Sequence, residues 1–276
     1  MWILIVLLIL ALFVGLYLLS IRGKRSDADF YGLAPYHYAH RGLHDSKAGV
    51  PENSLLAFRK AVEQGYGAEL DVHLSKDGRL VVIHDESLLR TAGVNRNVCD
   101  CTTKELRMYF LEETGEPIPF LEEVLPLFAG KTPLIIELKP YNKNHAALAS
   151  ATCQMLEQYP ELQFCIESFD PRALLWLKKN RPEIIRGQLS CNFMKDRSGL
   201  SGLLAFLLTN LMCNFLTVPH FVAYRFSDRR NLSLRLSRKL WGVQEVSWTI
   251  TSPRRGQKLR REGVPLIFEG FLPPKE

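Results

Sequence analysis

The 276 residues are 47% hydrophobic and 23% charged, apolar enough for one large packed domain or two small ones, which excludes a disordered chain. The formal net charge of +6 is uneven, because Lys and Arg crowd the stretch from Arg225 to Arg261. No nucleic-acid reading motif accompanies that basic run, so it reads as a solvated helix face, or as a face lying against anionic headgroups at about 1 kcal/mol per cation, and no nucleic-acid partner is expected. The six cysteines, at 99, 101, 153, 165, 191 and 213, lack zinc-like spacing and read as free thiols in a reducing compartment.

Residues 2–19 carry no charge, and at a rise of ~1.5 Å each they nearly span a hydrocarbon core of ~30 Å. They lack the basic leader and the small-residue cleavage site of a secretory signal, so a retained anchor over 1–21 is expected. Arg22, Lys24 and Arg25 follow at once, which by the positive-inside tendency puts the rest of the chain on the cytoplasmic side. A linker over 22–35 then leads to a strand at Tyr36–His40, ended by His40-Arg41-Gly42. Pro51-Glu52-Asn53-Ser54 opens a helix capped by Asn53 or Ser54, with Leu55, Leu56, Phe58, Ala61 and Val62 at helical spacing.

Glu69, Asp71 and His73 alternate with Leu70 and Val72, the pattern of a strand with one acidic and one apolar face. Asp77-Gly78 predicts a tight hairpin turn into a second strand, Leu80–Ile83, and such a hairpin sets His84 roughly opposite the pair Glu69 and Asp71. Helices are expected near 103–109 and 120–127, then a buried strand at 134–138. From there helices at 145–158, 171–179, 201–212, 229–240 and 253–261 alternate with strands at 163–168, 184–189, 215–219, 243–249 and 266–268. Such alternation predicts a parallel sheet closed into a TIM-type (β/α)8 barrel over 36–276. Nine strands are one too many for eight staves, and the hairpin is the irregular pair, since its turn is too short to join parallel neighbours.

Barrel enzymes carry their chemistry where strands end. His40, Arg41, Glu69, Asp71, His84, Glu137, Lys139, Glu167 and Trp248 all fall at such ends. One such His or Glu is ordinarily a hydrogen-bonded core residue; their recurrence at successive strand ends points to a site.

With these motifs the sequence resembles the glycerophosphodiester phosphodiesterase family. The resemblance rests on His40-Arg41-Gly42, Pro51-Glu52-Asn53-Ser54, Glu69-Leu70-Asp71-Val72, Ser75-Lys76-Asp77-Gly78, His84-Asp85, Ile118–Val124, Ile136-Glu137-Leu138-Lys139, Ser168-Phe169-Asp170 and Trp248-Thr249. It implies hydrolysis of a glycerophosphodiester to glycerol 3-phosphate and an alcohol, or the related lysophospholipase D reaction, with Mg2+ or Ca2+. It also implies that Glu69, Asp71 and Glu137 hold the metal, His40 and His84 form the acid/base pair, and Arg41 and Lys139 bind phosphate. The sequence departs from the family at Glu167, where many members have Gln, and at Phe268-Glu269-Gly270-Phe271, where the last strand usually runs into Thr-Asp-x-Pro. These departures touch the substrate's far side, where Glu167 and Trp248 are the candidate contacts.

The residue types agree with that chemistry independently. Carboxylates suit a hard cation, Arg grips phosphate oxygens bidentately, and an unperturbed His titrates near ~6.5. A phospholipid-derived, amphiphilic substrate is expected, from the anchor and from Leu200–Leu216, which is too apolar all round for an ordinary surface helix and reads either as lipid-facing or as a helix buried between the barrel and a neighbouring loop. The rival reading is a membrane-tethered, non-catalytic phospholipid-binding module on the same barrel. The anchor, the basic tail and the altered last strand favour it; the complete histidine and carboxylate set argues against it.

Overall fold

Alternating inward and outward side chains along parallel strands give this fold its two main cores, one inside the barrel and one between barrel and helices. The computed structural model describes residues 1–25, 30, 32–195 and 199–274. In chain order the elements are α1 (Trp2–Ser20), β1 (Tyr38–Ala39), α2 (Leu55–Glu63), β2 (Gly67–Leu74), β3 (Leu80–Val82), α3 (Leu89–Ala92), α4 (Thr103–Leu106), α5 (Leu121–Phe128), β4 (Leu134–Leu138) and α6 (His145–Leu156). They continue as β5 (Phe164–Ser168), α7 (Pro171–Asn180), β6 (Arg186–Ser190), α8 (Gly202–Thr209), α9 (Asn214–Thr217), β7 (Phe221–Arg225), α10 (Leu232–Trp241), β8 (Gln244–Ile250), α11 (Pro253–Arg261) and β9 (Leu266–Phe268). Strand order β1-β9-β8-β7-β6-β5-β4-β2, closed by the parallel pairing of β1 with β2, makes an eight-stranded TIM-type barrel. The surplus strand is β3, which pairs antiparallel with the last residues of β2, as expected of the hairpin.

Leu70 and Val72 point outward and pack in one cluster with Ile136 of β4 and with Phe58, Val124 and Leu148 from the surrounding helices. Fully burying a side chain of that size contributes about 1.5–3 kcal/mol. Inside the barrel, Tyr38, Ile135, Cys165, Phe221 and Ile267 form an apolar plug, and Phe30 and Leu33 from the segment before β1 pack against it. The register of β2, β4 and β5 puts Asp71 beside Glu137 and Glu137 beside Glu167, so three carboxylates lie at one level across adjacent strands.

One expectation is refined and one is corrected. The hairpin register pairs Val72 with Val82 and Leu74 with Leu80, and the Ile83 N–H donates to the Asp71 carbonyl, so Ile83 stands directly opposite Asp71 and His84, the next residue, lies roughly opposite the acid pair. The Ser75 hydroxyl accepts from the Arg79 N–H, and the Ser75 N–H bonds back to the Arg79 carbonyl. That loop is wider than a two-residue turn and shifts the count by one. The strand expected at 215–219 is the short helix α9, and the strand of that unit is β7, which begins only at Phe221. A short apolar run does not distinguish helix from strand. The run Phe221-Val222-Ala223-Tyr224 just past Pro219 is the one that fills the sheet.

Candidate active site at the mouth of the barrel

The carboxyl ends of the strands open into a cavity of about 870 Å3. His40, Arg41, Glu69, His84, Glu137, Lys139 and Glu167 line it from β1 through β5, and the lining contributed after β5 through β8 is mostly apolar, with Phe169, Leu189, Phe193, Leu204 and Trp248 beside Asp170, Arg172 and Arg225. Asp71 lies beneath, fully buried.

Backbone shape accounts for much of the polar lining. Arg41 sits in the left-handed region at φ 54°, and its N–H donates to Glu69 Oε2 at 3.1 Å. Asn53, at φ 54°, donates from its side-chain amide to Asp71 Oδ2 at 2.9 Å, leaving Ser54 as the cap of α2. Such conformations cost free energy outside glycine and concentrate where surrounding structure imposes them. Gly42 at φ 80° follows, and a Cβ there would meet Ala57 at 2.8 Å, so only glycine lets α2 approach this closely.

Each histidine is held by its own carboxylate. His40 Nδ1 lies 2.8 Å from Glu269 Oε2, and His84 Nδ1 lies 2.6 Å from Asp85 Oδ1. Arg90 bonds Asp85 at 2.5 Å and Glu52 at 2.6 Å, and Glu52 receives Arg41 Nη1 on both oxygens, at 3.1 and 3.0 Å. A chain of charge-assisted bonds thus runs from His84 to Arg41. His73, on the same face as Asp71, is buried with Nε2 3.1 Å from the His84 carbonyl, and burial pushes its titration down to about 4.

The acids differ sharply in protonation. Burial, with Asp71 and Glu137 close by, holds Glu69 well above the usual carboxylate range. Burial also raises Glu137, to about 7, despite Lys139. For Asp71 burial pulls the same way, but Lys139, His84 and Arg41 together outweigh it and hold it well below that range. Burial lowers His84. Glu167 is raised by burial and by Glu137.

Glu69, Asp71 and Glu137 each offer an oxygen, all within 4.8 Å of one another. Asp71 Oδ1 and Glu137 Oε1 are buried without a hydrogen bond, although the Lys139 ammonium lies 3.1 and 3.0 Å away. A compact, buried, oxygen-only donor set fits a hard divalent cation. All nine residues singled out in the sequence converge here. Glu167 lines the cavity with Oε2 unbonded, and Trp248 lines it while donating from its indole to the Ala223 carbonyl at 3.1 Å. The Arg225 guanidinium lies 5.2 Å over the Trp248 ring.

Sequence reasoning gave no role at the site to Glu52, Asn53, Asp85 or Arg90, although three of them lie in the quoted motifs. It also gave none to Glu269, present there only as a departure. An acid directly after the last strand's apolar run was the available signal for Glu269.

Comparison with known proteins bears on the fold and the family. An Oleispira antarctica phosphodiesterase, solved in complex with the product sn-glycerol-3-phosphate, superposes with a TM-score of 0.68 at 28% identity, over 87% of this chain and 94% of its own. A glycerophosphodiester phosphodiesterase of Bacillus altitudinis is 39% identical over 157 residues, 53% of this chain but 63% of its own length. A Rattus norvegicus lysophospholipase D, GDPD1, is 35% identical over 136 residues, 45% of this chain and 41% of its own. The chain thus spans less than two thirds of both curated relatives. A model of the glycerophosphoryl diester phosphodiesterase family matches residues 40–268, from His40 through the end of β9. That match takes in nearly the whole barrel and every polar residue of the mouth except Glu269, and the chain belongs to the glycerophosphoryl diester phosphodiesterase family.

Proposed function

We propose that this chain hydrolyses a glycerophosphodiester to a glycerol phosphate and an alcohol, with a single-chain phosphodiester such as a lysophospholipid as its amphiphilic substrate. The observation that carries the reading is the cavity's lining, with two carboxylate-held histidines, two cations and clustered acids from β1 through β5, and mostly leucines and aromatic rings after it. Arg41 and Lys139 bind the phosphate oxygens, the first as a planar fork and the second as a point charge. His40 and His84 exchange protons with the substrate: one takes a proton from the attacking hydroxyl or water, the other gives one to the leaving oxygen. Glu269 and Asp85 fix the two rings through their Nδ1 atoms, leaving each Nε2 for the substrate. Glu69, Asp71 and Glu137 would hold Mg2+ or Ca2+, and such an ion supplies Lewis-acid polarisation of the phosphoryl group. Glu167, beside Glu137, and Trp248 line the rest of the substrate cavity.

The apolar helix α1 is read as a retained anchor with the barrel on the cytoplasmic side, on the strength of Arg22, Lys24, Arg25 and six free cysteines. A panel of glycerophosphocholine, lysophosphatidylcholine and a 2-deoxy analogue, each with and without chelator, tests the reaction. Metal-dependent turnover that leaves a phosphate monoester is expected, and loss of turnover with the 2-deoxy analogue alone identifies the neighbouring hydroxyl as the attacking group. No turnover of any substrate with Mg2+ or Ca2+ present would return the chain to the non-catalytic lipid-binding reading.

A further inference from the structure

The docking of α1 on the barrel fixes which way the active site faces. Tyr17 Oη lies 2.8 Å from Ser233 Oγ in the first turn of α10, the Ser237 hydroxyl donates to the Ile21 carbonyl at 3.1 Å, and the Trp241 indole donates to the Leu18 carbonyl at 3.1 Å. Lys24 N–H then donates to the Pro219 carbonyl at 2.8 Å, and Gly23 abuts Val243. Pro219 and Val243 precede β7 and β8, so they mark the end of the barrel opposite the mouth. Since α10 follows β7 and runs from the mouth toward that far end, residues 17–24 descend alongside it. The rest of α1 therefore leaves the barrel on the mouth side.

Residues 1–14 are exposed throughout, and Leu16 and Leu19 remain half exposed beside the rim, with no charged residue before Arg22. The apolar surface of the helix is thus continuous down to the rim, where Tyr17 sits as an interfacial residue would. Beside it stands α8. Its carboxyl end is pinned to the same rim, with the Leu208 carbonyl accepting from Ser190, and the Thr209 carbonyl from Tyr224 and Asn231. Leu204 and Leu208 line the cavity, while Leu203 and Phe206 are 71% and 47% exposed. An exposed apolar face contiguous with a membrane-length helix marks a membrane surface.

We propose that the mouth of the barrel faces the bilayer, with Leu203 and Phe206 of α8 inserted in the leaflet beside α1, so that a lipid substrate passes from the leaflet along the α8 wall into the cavity. This rests on the reading of α1 as a retained anchor and of the site as acting on an amphiphile. Full-length protein reconstituted in phosphatidylcholine vesicles with brominated acyl chains tests the orientation. In a Cys99→Ser, Cys213→Ser background, a fluorophore on Phe206→Cys is expected to be quenched, and one on Lys131→Cys, in the exposed turn before β4 at the far end, is not. Equal quenching at the two positions, none at 206, or failure of the protein to stay with the vesicles overturns the proposal. Catalysis gives a second arm. Leu203→Glu with Phe206→Glu is expected to slow lysophosphatidylcholine hydrolysis in vesicles by about tenfold or more while leaving soluble glycerophosphocholine hydrolysis unchanged. An equal effect on both substrates, or on neither, overturns the role of α8. If the unsubstituted protein turns over neither substrate, the catalytic reading has failed, and the quenching pattern alone decides the orientation.

Discussion

Glu269 holds His40 from a position one residue past the last strand, and the His40 contact in turn draws its carboxyl below the usual range. Replacing Glu269 by Gln keeps the volume and removes the charge that orients the ring. A fall in kcat of about tenfold to a hundredfold with KM little changed is expected, within the range of positioned proton transfer; a change confined to KM would assign Glu269 to substrate binding instead. Asp71 is the charged centre of the acid set, so Asp71→Asn should weaken Mg2+ or Ca2+ binding, read by calorimetry, and activity by more than about a hundredfold, with the circular dichroism spectrum preserved. Retained activity in metal-free buffer would remove Asp71 from the metal site. Glu52 connects Arg41 and Arg90: burial alone would raise its carboxyl, but those two cations outweigh it and lower it. Its contribution to stability is therefore complete above the unfolded-state value of about 4.5 and lost as pH falls through the lower folded value. Glu52→Gln should flatten the acid-side fall in Tm below about pH 4.5, and an unchanged slope would show that other carboxylates set it. Residue types and spacing made the polar cluster at the mouth legible, because His, Arg, Lys and paired acids recurring at strand ends have few other uses. The supporting set was not, because Asn53 and Glu52 act through a left-handed backbone and a contact across 38 residues, neither of which has a local periodicity.

At the level of elements, the alternation of strands and helices was readable from β4 onward, and the barrel follows from it. The failures fell where a short apolar run carries no phase. Phe215-Leu216-Thr217 has the composition of a strand, yet Phe215 and Leu216 are half exposed on α9, while Phe221 is fully buried inside the barrel. The hairpin was legible only to within one residue of register, because loop width, not strand pattern, sets it. Why β7 wins is visible at Gly187 of β6, its partner strand: a Cβ there would lie 2.1 to 2.6 Å from the Phe221 ring. The ring occupies the space a side chain would take. Gly187→Ala should therefore destabilise the barrel by about 1–3 kcal/mol in urea unfolding, as overpacking does. If the loss is recovered in Gly187→Ala with Phe221→Leu, the cause is this contact; a loss unchanged by the second substitution would place it in the backbone.

The whole molecule gives the amino-terminal segment two different halves. Ile21 is fully buried with Leu211, Val222, Tyr224, Leu234 and Val243, and Tyr17 and Leu18 pack at the margin of that cluster. The end of this apolar helix is thus part of the barrel's own core. Many of the carboxyl-terminal cations also prove local: Arg229 and Arg238 pair with the buried Glu245, and Lys258, Arg260 and Arg261 occupy the last turn of α11, where cations complement the helix dipole. That turn lies at the end of the barrel away from the mouth, so these residues are remote from a leaflet that meets α8. Truncation tests the proposed membrane attachment separately from folding. Removing residues 1–14 deletes only exposed helix, so the barrel should keep its urea midpoint and its turnover of soluble glycerophosphodiesters, while losing vesicle binding and most turnover of vesicle-held substrate. Removing residues 1–21 strips Ile21 and the bonds from Ser237 and Trp241, and should cost about 2–5 kcal/mol, the range for deleting a large buried side chain. Equal urea midpoints for the two truncations would show that the contacts of Tyr17 through Ile21 contribute nothing to the fold, and with them would go the rigid coupling that aims the mouth at the bilayer.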